Sequence, residues 1–446
     1  MRAMLEQKAG MMPAEIVEFL NDYIIGQDDA KRAIALALRN RYRRMQLPKE
    51  VREEITPKNI LMIGSTGVGK TEIARRMAKI MALPFIKVEA SKYTEVGFVG
   101  RDVESMIRDL VNASIALVQQ ESQQESQEAI QAYITDKISR LLLPPLPKGV
   151  SNEKQRDYEQ SLEKMRQRVQ NGEVDHLQVD VEIEKRAESL DNGMPPDIAR
   201  VQESIIRVLQ REEKVKKSLS VKEAKLALLQ EARDNVLDME AIQAEGVRRA
   251  EESGVVFIDE IDKIATGTKD SRLDPSKEGV QRDLLPIIEG SAISTKYGTI
   301  RTDYILFVAA GAFHLSKPSD LIPELQGRFP IRVELDGLSE EAMYAILTQT
   351  RNSLIAQYIH LLSVENVELV FEEEALHALA HFAYVANQKT EDIGARRLHT
   401  IIERVLEDIS FSAQEYAGGR ATITKELVEQ KLGDVVGNTD MSRYIL

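Results

Sequence analysis

Five short stretches of this 446-residue chain are rich in apolar residues: Asn59–Ile63, Phe85–Glu89, Val255–Ile258, Tyr304–Ala309 and Ile331–Leu335. A run that is apolar on both faces predicts a strand buried on both faces. Strands of that kind, separated by helical stretches, predict a parallel sheet covered by helices, so the expected class is α/β.

The pattern changes between about Val111 and Gln243, where Glu, Gln, Lys and Arg predominate. Helical spacing at Ile115 and Val118 and again at Ile205, Ile206, Val208 and Leu209 surrounds an alternating stretch, Leu177, Val179, Val181 and Ile183. Pro144, Pro145 and Pro147 break the first helix, and Asn192-Gly193 with Pro195-Pro196 marks a turn. The expectation is a mostly helical accessory domain inserted over 111–243; its composition leaves a disordered linker as the alternative. After Leu335 amphipathic runs near Glu340–His360, Glu374–Ala386, Gly394–Ser410 and Lys425–Leu432 predict a small, largely α-helical domain over 337–446. The α/β nucleotide-binding domain then consists of 1–110 and 244–336.

Composition narrows the chemistry. Without cysteine there is no disulfide and no thiolate zinc site, and six scattered histidines disfavour a metal site of their own. A formal charge of −13 opposes non-specific attraction to nucleic acid. The local basic stretch Arg39 to Arg44 runs against that balance; a solvated helix face is the favoured reading of it. No run is long and apolar enough for a membrane span, and Glu6, Lys8, Glu15 and Glu18 interrupt the N-terminal region, so a cytoplasmic protein is expected.

Candidate chemistry sits at two strand ends. Gly64-Ser65-Thr66-Gly67-Val68-Gly69-Lys70-Thr71 follows the strand ending at Ile63 and precedes a helical run, Glu72 to Met81. This is a phosphate-binding loop in its required context. The glycines let the backbone wrap a phosphate, the loop and helix N–H groups hold its oxygens, Lys70 reaches the β and γ phosphates, and the Thr71 hydroxyl ligates Mg²⁺. Asp259-Glu260 ends the Val255–Ile258 strand, which brings both carboxylates to the same sheet edge. Asp259 is the expected Mg²⁺ partner and Glu260 the base that polarises the attacking water. ATP and Mg²⁺ are the expected cofactors.

The Asp-Glu-Ile-Asp-Lys run at Asp259–Lys263, the long insertion and the helical C-terminal part resemble the AAA+ P-loop unfoldases of the Clp/Hsp100 group, in the branch that serves an HslV-type threonine peptidase. The likeness runs from about Pro13 through Ile24-Ile25-Gly26-Gln27, Thr94–Gly100, Ile322–Arg328, Ile393–Arg397 and Ser442–Leu446. It implies Ile25 against adenine, Glu72 beside the phosphate loop and Glu324 near the nucleotide. It also implies Arg328 as a finger completing a neighbour's site in a homo-oligomeric, hexameric ring. Arg396 matches the second sensor, with Arg397 beside it; spacing alone leaves open which of the two senses nucleotide. In that group Gly97-Phe98-Val99-Gly100 is the substrate-gripping pore loop, here with Phe98 in place of the usual Tyr. The apolar residues Tyr444, Ile445 and Leu446 are the peptidase-docking tail.

The implied function is ATP-driven unfolding and translocation of protein substrates, with no peptidase site in the chain. The alternatives are a nucleic-acid motor, a nucleotide-gated scaffold without turnover, and a ClpX-type unfoldase. No cysteine is present for the last one's zinc module, and no Ile-Gly-Phe tripeptide for its docking. Ala309-Ala310-Gly311-Ala312-Phe313 offers no Asn for a first sensor, and the twelve residues before Pro13 have no counterpart.

Overall fold

A computed structural model describes residues 11–94, 101–145, 152–184, 214–266 and 275–437. Residues 118–242 form one compact unit, and the remaining described residues form the other.

At the centre of the larger unit is a five-stranded sheet of β1 (Ile60–Ile63), β2 (Phe85–Glu89), β3 (Val255–Asp259), β4 (Leu306–Gly311) and β5 (Ile331–Glu334). The strand order is β2-β3-β4-β1-β5, and every pairing is parallel. All six residues of β4 are buried, as are the first four of β3, which is why these runs show no alternation. Helices α1 (Pro13–Asn21), α2 (Asp28–Met45) and α3 (Lys70–Ile80) cover the sheet. Ile16, Leu20, Ile34, Leu38, Ile73 and Met77 from these helices share one cluster with Ile60, Met62, Phe257 and Val308.

Two expectations are corrected here. The fourth strand begins at Leu306, because the Tyr304 carbonyl accepts a hydrogen bond from Arg41 Nη2 at 2.9 Å instead of a sheet partner. Two arginines of the basic stretch, Arg41 and Arg44, are also not on a solvated face, whereas Arg43 is. Arg41 donates from Nε and Nη2 to the Glu252 carbonyl at 3.2 and 3.0 Å, near the end of helix α4 (Met239–Ser253). Arg44 donates to the Ile55 and Arg52 carbonyls and lies 3.7 Å over the Tyr304 ring. Both are buried, staples between α2 and the segments that carry β3 and β4. Burial, with Arg44 beside it, pushes the Arg41 guanidinium down to about 9.

The C-terminal part holds its own apolar cluster, including Met343, Leu362, Leu379, Leu398, Ile402, Val405 and Leu432. The run 340–360 is not one helix. After α5 (Pro323–Arg328), it divides into α6 (Glu340–Thr348) and α7 (Leu354–Ser363), since the Ser353 hydroxyl accepts from Ala356 N–H and starts a new helix. Helices α8 (Glu373–Lys389) and α9 (Arg396–Phe411) follow, and a short parallel pair, Glu368–Phe371 with Arg420–Ile423, was not legible as strands.

The smaller compact unit spans Val118–Ile242. The Ser114 hydroxyl donates to the Gly246 carbonyl at 2.6 Å in a buried contact, which keeps that part of helix Ser105–Glu125 with the sheet. Within residues 118–242, helices Gln127–Leu142 and Asn152–Gln170 and the antiparallel pair Gln178–Glu184 with Lys214–Ser220 bury Ile130, Ile134, Ile138, Val169, Val179, Val181 and Val221. Those described residues are packed, not linker.

Candidate nucleotide-hydrolysis site

β4 lies between β1 and β3, in register with both: Ile63 pairs with Gly311 and Ile258 with Ala309. The C-terminal ends of the three strands therefore open at one sheet edge, where ligands bind in sheets of this kind. The phosphate loop leaves β1 there and runs into α3. Gly69, at φ 106°, is the N-cap residue, a conformation that glycine adopts without strain. Lys70 is the first residue of α3 and is largely buried. Its ammonium donates to the Gly64 carbonyl and, at 2.7 Å, to that of Ser65. Burial lowers its pKa, and the nearby Asp259 and Asp262 carboxylates partly restore it.

Asp259 is the point where three elements meet. Its Oδ2 accepts from the Thr71 hydroxyl at 3.2 Å and faces Lys87 Nζ at 2.8 Å, while Oδ1 accepts from Glu260 N–H at 3.0 Å. The Thr71 hydroxyl and the Asp259 carboxylate are hard oxygen donors side by side, of the kind that would suit Mg²⁺. Glu260 has φ 56°, left-handed and uncommon for a residue with a Cβ; holding it there costs on the order of 1–3 kcal/mol. The turn frees its carboxylate from β3, and Ser91 Oγ donates to its Oε2 at 3.2 Å.

A cavity of about 1620 Å³ joins these groups. Apolar walls come from Ile24, Ile25, Leu338, Ile346 and Leu354, and charge from Lys70, Asp259, Glu260 and Arg396, with Gly67, Val68, Gly69, Thr71 and Glu72 on the same lining. Glu72 binds both Arg75 and Arg76, each at 2.6 Å. The arginine pair divides cleanly. Arg396 lines the cavity, whereas Arg397 is buried and bonded to Asn387, Thr390 and Glu391.

Glu324 and Arg328, on α5, are not among the residues lining this cavity. Arg328 is half-exposed and pairs with Glu289 at 2.7 Å. Gly97–Gly100 and Tyr444–Leu446 lie outside the described residues. Sequence reasoning missed Lys87, Ser91 and His314. Lys87 carried a signal, as the one charge inside an otherwise apolar run before Glu89. His314 is a polar side chain that the segment after β4 presents to the cavity, directly beyond Phe313, whose φ is 53°.

Comparison with known proteins converges on this chemistry. A family model described as the AAA domain (Cdc48 subfamily) matches residues 183–332, and one described as the MCM P-loop domain matches residues 3–122. The chain is 64% identical over 441 residues to the "ATP-dependent protease ATPase subunit HslU" of Helicobacter pylori (strain G27), covering 98% of this chain and 100% of the relative. The protein of the same name from Helicobacter acinonychis (strain Sheeba) gives the same figures. The one from Campylobacter jejuni subsp. jejuni serotype O:6 is 58% identical over 437 residues, again 98% and 100%.

The chain belongs to the HslU family.

Membership makes it a nucleotide-binding ATPase, the ATPase subunit of an ATP-dependent protease, on an AAA+ P-loop fold with a parallel sheet. In this HslU-family chain the cavity at the edge of β1, β3 and β4 brings Lys70, Thr71, Asp259 and Glu260 onto one lining. Among the described residues, no helix is long and apolar enough to cross a membrane.

Proposed function

We propose that the chain uses ATP hydrolysis to unfold protein substrates and thread them into a separate HslV-type threonine peptidase, as a hexameric ring in the cytoplasm. The observation that carries this reading is coverage. Similarity to protease ATPase subunits extends over 98% of the chain, so it includes the inserted unit and the C-terminal helices as well as the phosphate loop. A shared phosphate loop alone would say nothing about what the energy moves.

At the site, Ile25 packs on the adenine, Gly67 to Lys70 offer N–H groups and an ammonium to the phosphates, and Glu260 takes the proton of the attacking water. Thr71 and Asp259 would hold Mg²⁺, which when bound neutralises charge on the phosphate oxygens. Arg328 reaches a neighbouring subunit's site, a role supported by its place outside the cavity of its own chain. Glu324 is assigned to the same shared boundary. Arg396 links phosphate occupancy to the C-terminal helices. Phe98, between Gly97 and Val99-Gly100, grips the polypeptide by packing, and Tyr444, Ile445 and Leu446 dock on the peptidase.

Burial of Arg41 and Arg44 weighs against a nucleic-acid motor, because those guanidiniums are engaged with carbonyls of the chain itself. Deleting Tyr444–Leu446 tests the partner assignment. Basal ATPase activity should persist while activation of the peptidase is lost; activation retained in the truncated chain rejects the docking role.

A further inference from the structure

Arg397 turns away from the cavity that its neighbour Arg396 lines. Its guanidinium donates from Nε to Asn387 Oδ1 at 3.1 Å, and from Nη2 to Thr390 Oγ1 and the Glu391 carbonyl, both at 2.8 Å. Asn387, also buried, donates from Nδ2 to the Gly394 carbonyl at 3.1 Å and accepts from Ile393 N–H at 3.4 Å. Asp392 Oδ1 accepts from Gly394 N–H at 2.9 Å. The turn between α8 and α9 is thus tied by one side chain from each helix.

That turn meets the phosphate loop backbone to backbone. A Cβ on Gly67 would lie 2.1 Å from the Ile393 carbonyl oxygen. One on Gly394, at φ 57°, would lie 2.6 Å from the Gly67 carbonyl carbon and from the Thr66 oxygen. In this glycine-only contact Ala395 N–H donates to the Gly67 carbonyl at 3.2 Å. A trans peptide points its C=O and N–H to opposite sides. Fixing the Gly67 carbonyl therefore also fixes the direction of Val68 N–H, one of the donors such a loop offers to phosphate oxygens.

We propose that Asn387 and Arg397 are positioning residues for the nucleotide site. They hold Ile393-Gly394-Ala395 so that the Gly67–Val68 peptide is preset for phosphate, through the main chain and without using the charge of Arg396. The inference rests on reading Gly64–Thr71 as the phosphate cradle. It separates two jobs within one five-residue motif: Arg396 as the cavity's charge, Arg397 as the brace of the turn.

The test is calorimetric titration of the full-length chain with ADP and, separately, with adenosine. Asn387→Ala and Arg397→Lys should each weaken ADP binding by roughly tenfold, the worth of about one hydrogen bond to a charged group. Adenosine affinity should stay within about twofold, because the cradle touches no part of it. Lysine keeps the charge and loses the fork, so it should not rescue. Gly394→Ala, which changes neither Asn387 nor Arg397 but forces the turn away from the phosphate loop, should show the same split. Unchanged ADP affinity in these variants, or an equal loss for ADP and adenosine, overturns the proposal. Lys70→Ala is the control on the cradle. If it too leaves ADP binding unchanged, the cradle reading fails; if it weakens ADP while Asn387→Ala does not, only the positioning role fails.

Discussion

Thr71 Oγ1 and Asp259 Oδ2 lie 3.2 Å apart although 188 positions separate them in sequence. The contact exists because β1 and β3 flank β4 in register and end at one edge of the sheet. The whole inserted unit, residues 118–242, lies between these two halves of the site in the chain. Lys87 on β2 competes for the same Asp259 oxygen at 2.8 Å, so the carboxylate is shared among a hydroxyl and an ammonium from two different elements.

Glu260 is the only side chain in this arrangement assigned to move a proton. Glu260→Gln should keep ATP affinity and lower the turnover number by roughly 10²- to 10⁴-fold, the usual worth of a general base. Steady-state phosphate release beside a binding titration checks it; equal turnover in variant and parent removes Glu260 from the role.

Arg328 pairs with Glu289 outside its own chain's cavity. If it completes a neighbour's site, Arg328→Ala should bind nucleotide normally and lose roughly 10³- to 10⁵-fold in hydrolysis. Mixing it with Glu260→Gln subunits should restore part of the activity, since each variant supplies what the other lacks. No recovery in mixed rings speaks against a shared site.

Arg41 and Arg43 separate a staple from a surface charge. Arg41→Ala leaves the Glu252 and Tyr304 carbonyls without their donor and should cost about 2–3 kcal/mol. Arg43 is exposed and its Nη1 donates to Asn40 Oδ1 within the same helix, so Arg43→Ala should stay within about 0.5 kcal/mol. Urea unfolding midpoints compare the two.

Glu245 on α4 accepts from Arg248, and also from Arg249, and these hydrogen bonds hold its pKa down at about 2, against 4.5 for a free glutamate. A carboxylate whose pKa is lowered on folding contributes stability above its unfolded pKa and loses it as pH falls toward the folded one. Glu245→Gln should therefore be less stable than the parent at neutral pH. The gap in thermal midpoint should narrow as pH drops from 4.5 toward 2, and a gap that stays constant through that window rejects the assignment.

Much of this site was readable in the chain because its signals are local. Gly64–Thr71 follows a buried strand, and Asp259-Glu260 ends another, so each half announces itself within a few residues. What the sequence hid is long-range. Nothing near Arg41 marks the Glu252 carbonyl as its partner, and six positions of basic and polar residues read more simply as a wet helix face. Ser353 was an ordinary polar residue until its hydroxyl capped α7 and split the 340–360 run. Arg396 and Arg397 are indistinguishable by spacing. They part only because the helix turns one toward the cavity and the other into a pocket built by Asn387 and Thr390.

The most direct measurement is loss of native fluorescence from a stably folded substrate mixed with the full-length chain, the HslV-type peptidase and ATP. Fluorescence should decay with the parent chain and ATP, and persist with Glu260→Gln or with ADP. Decay that proceeds equally without hydrolysis, or no decay while ATP is turned over, would contradict the assignment of this chain as an ATP-driven unfoldase.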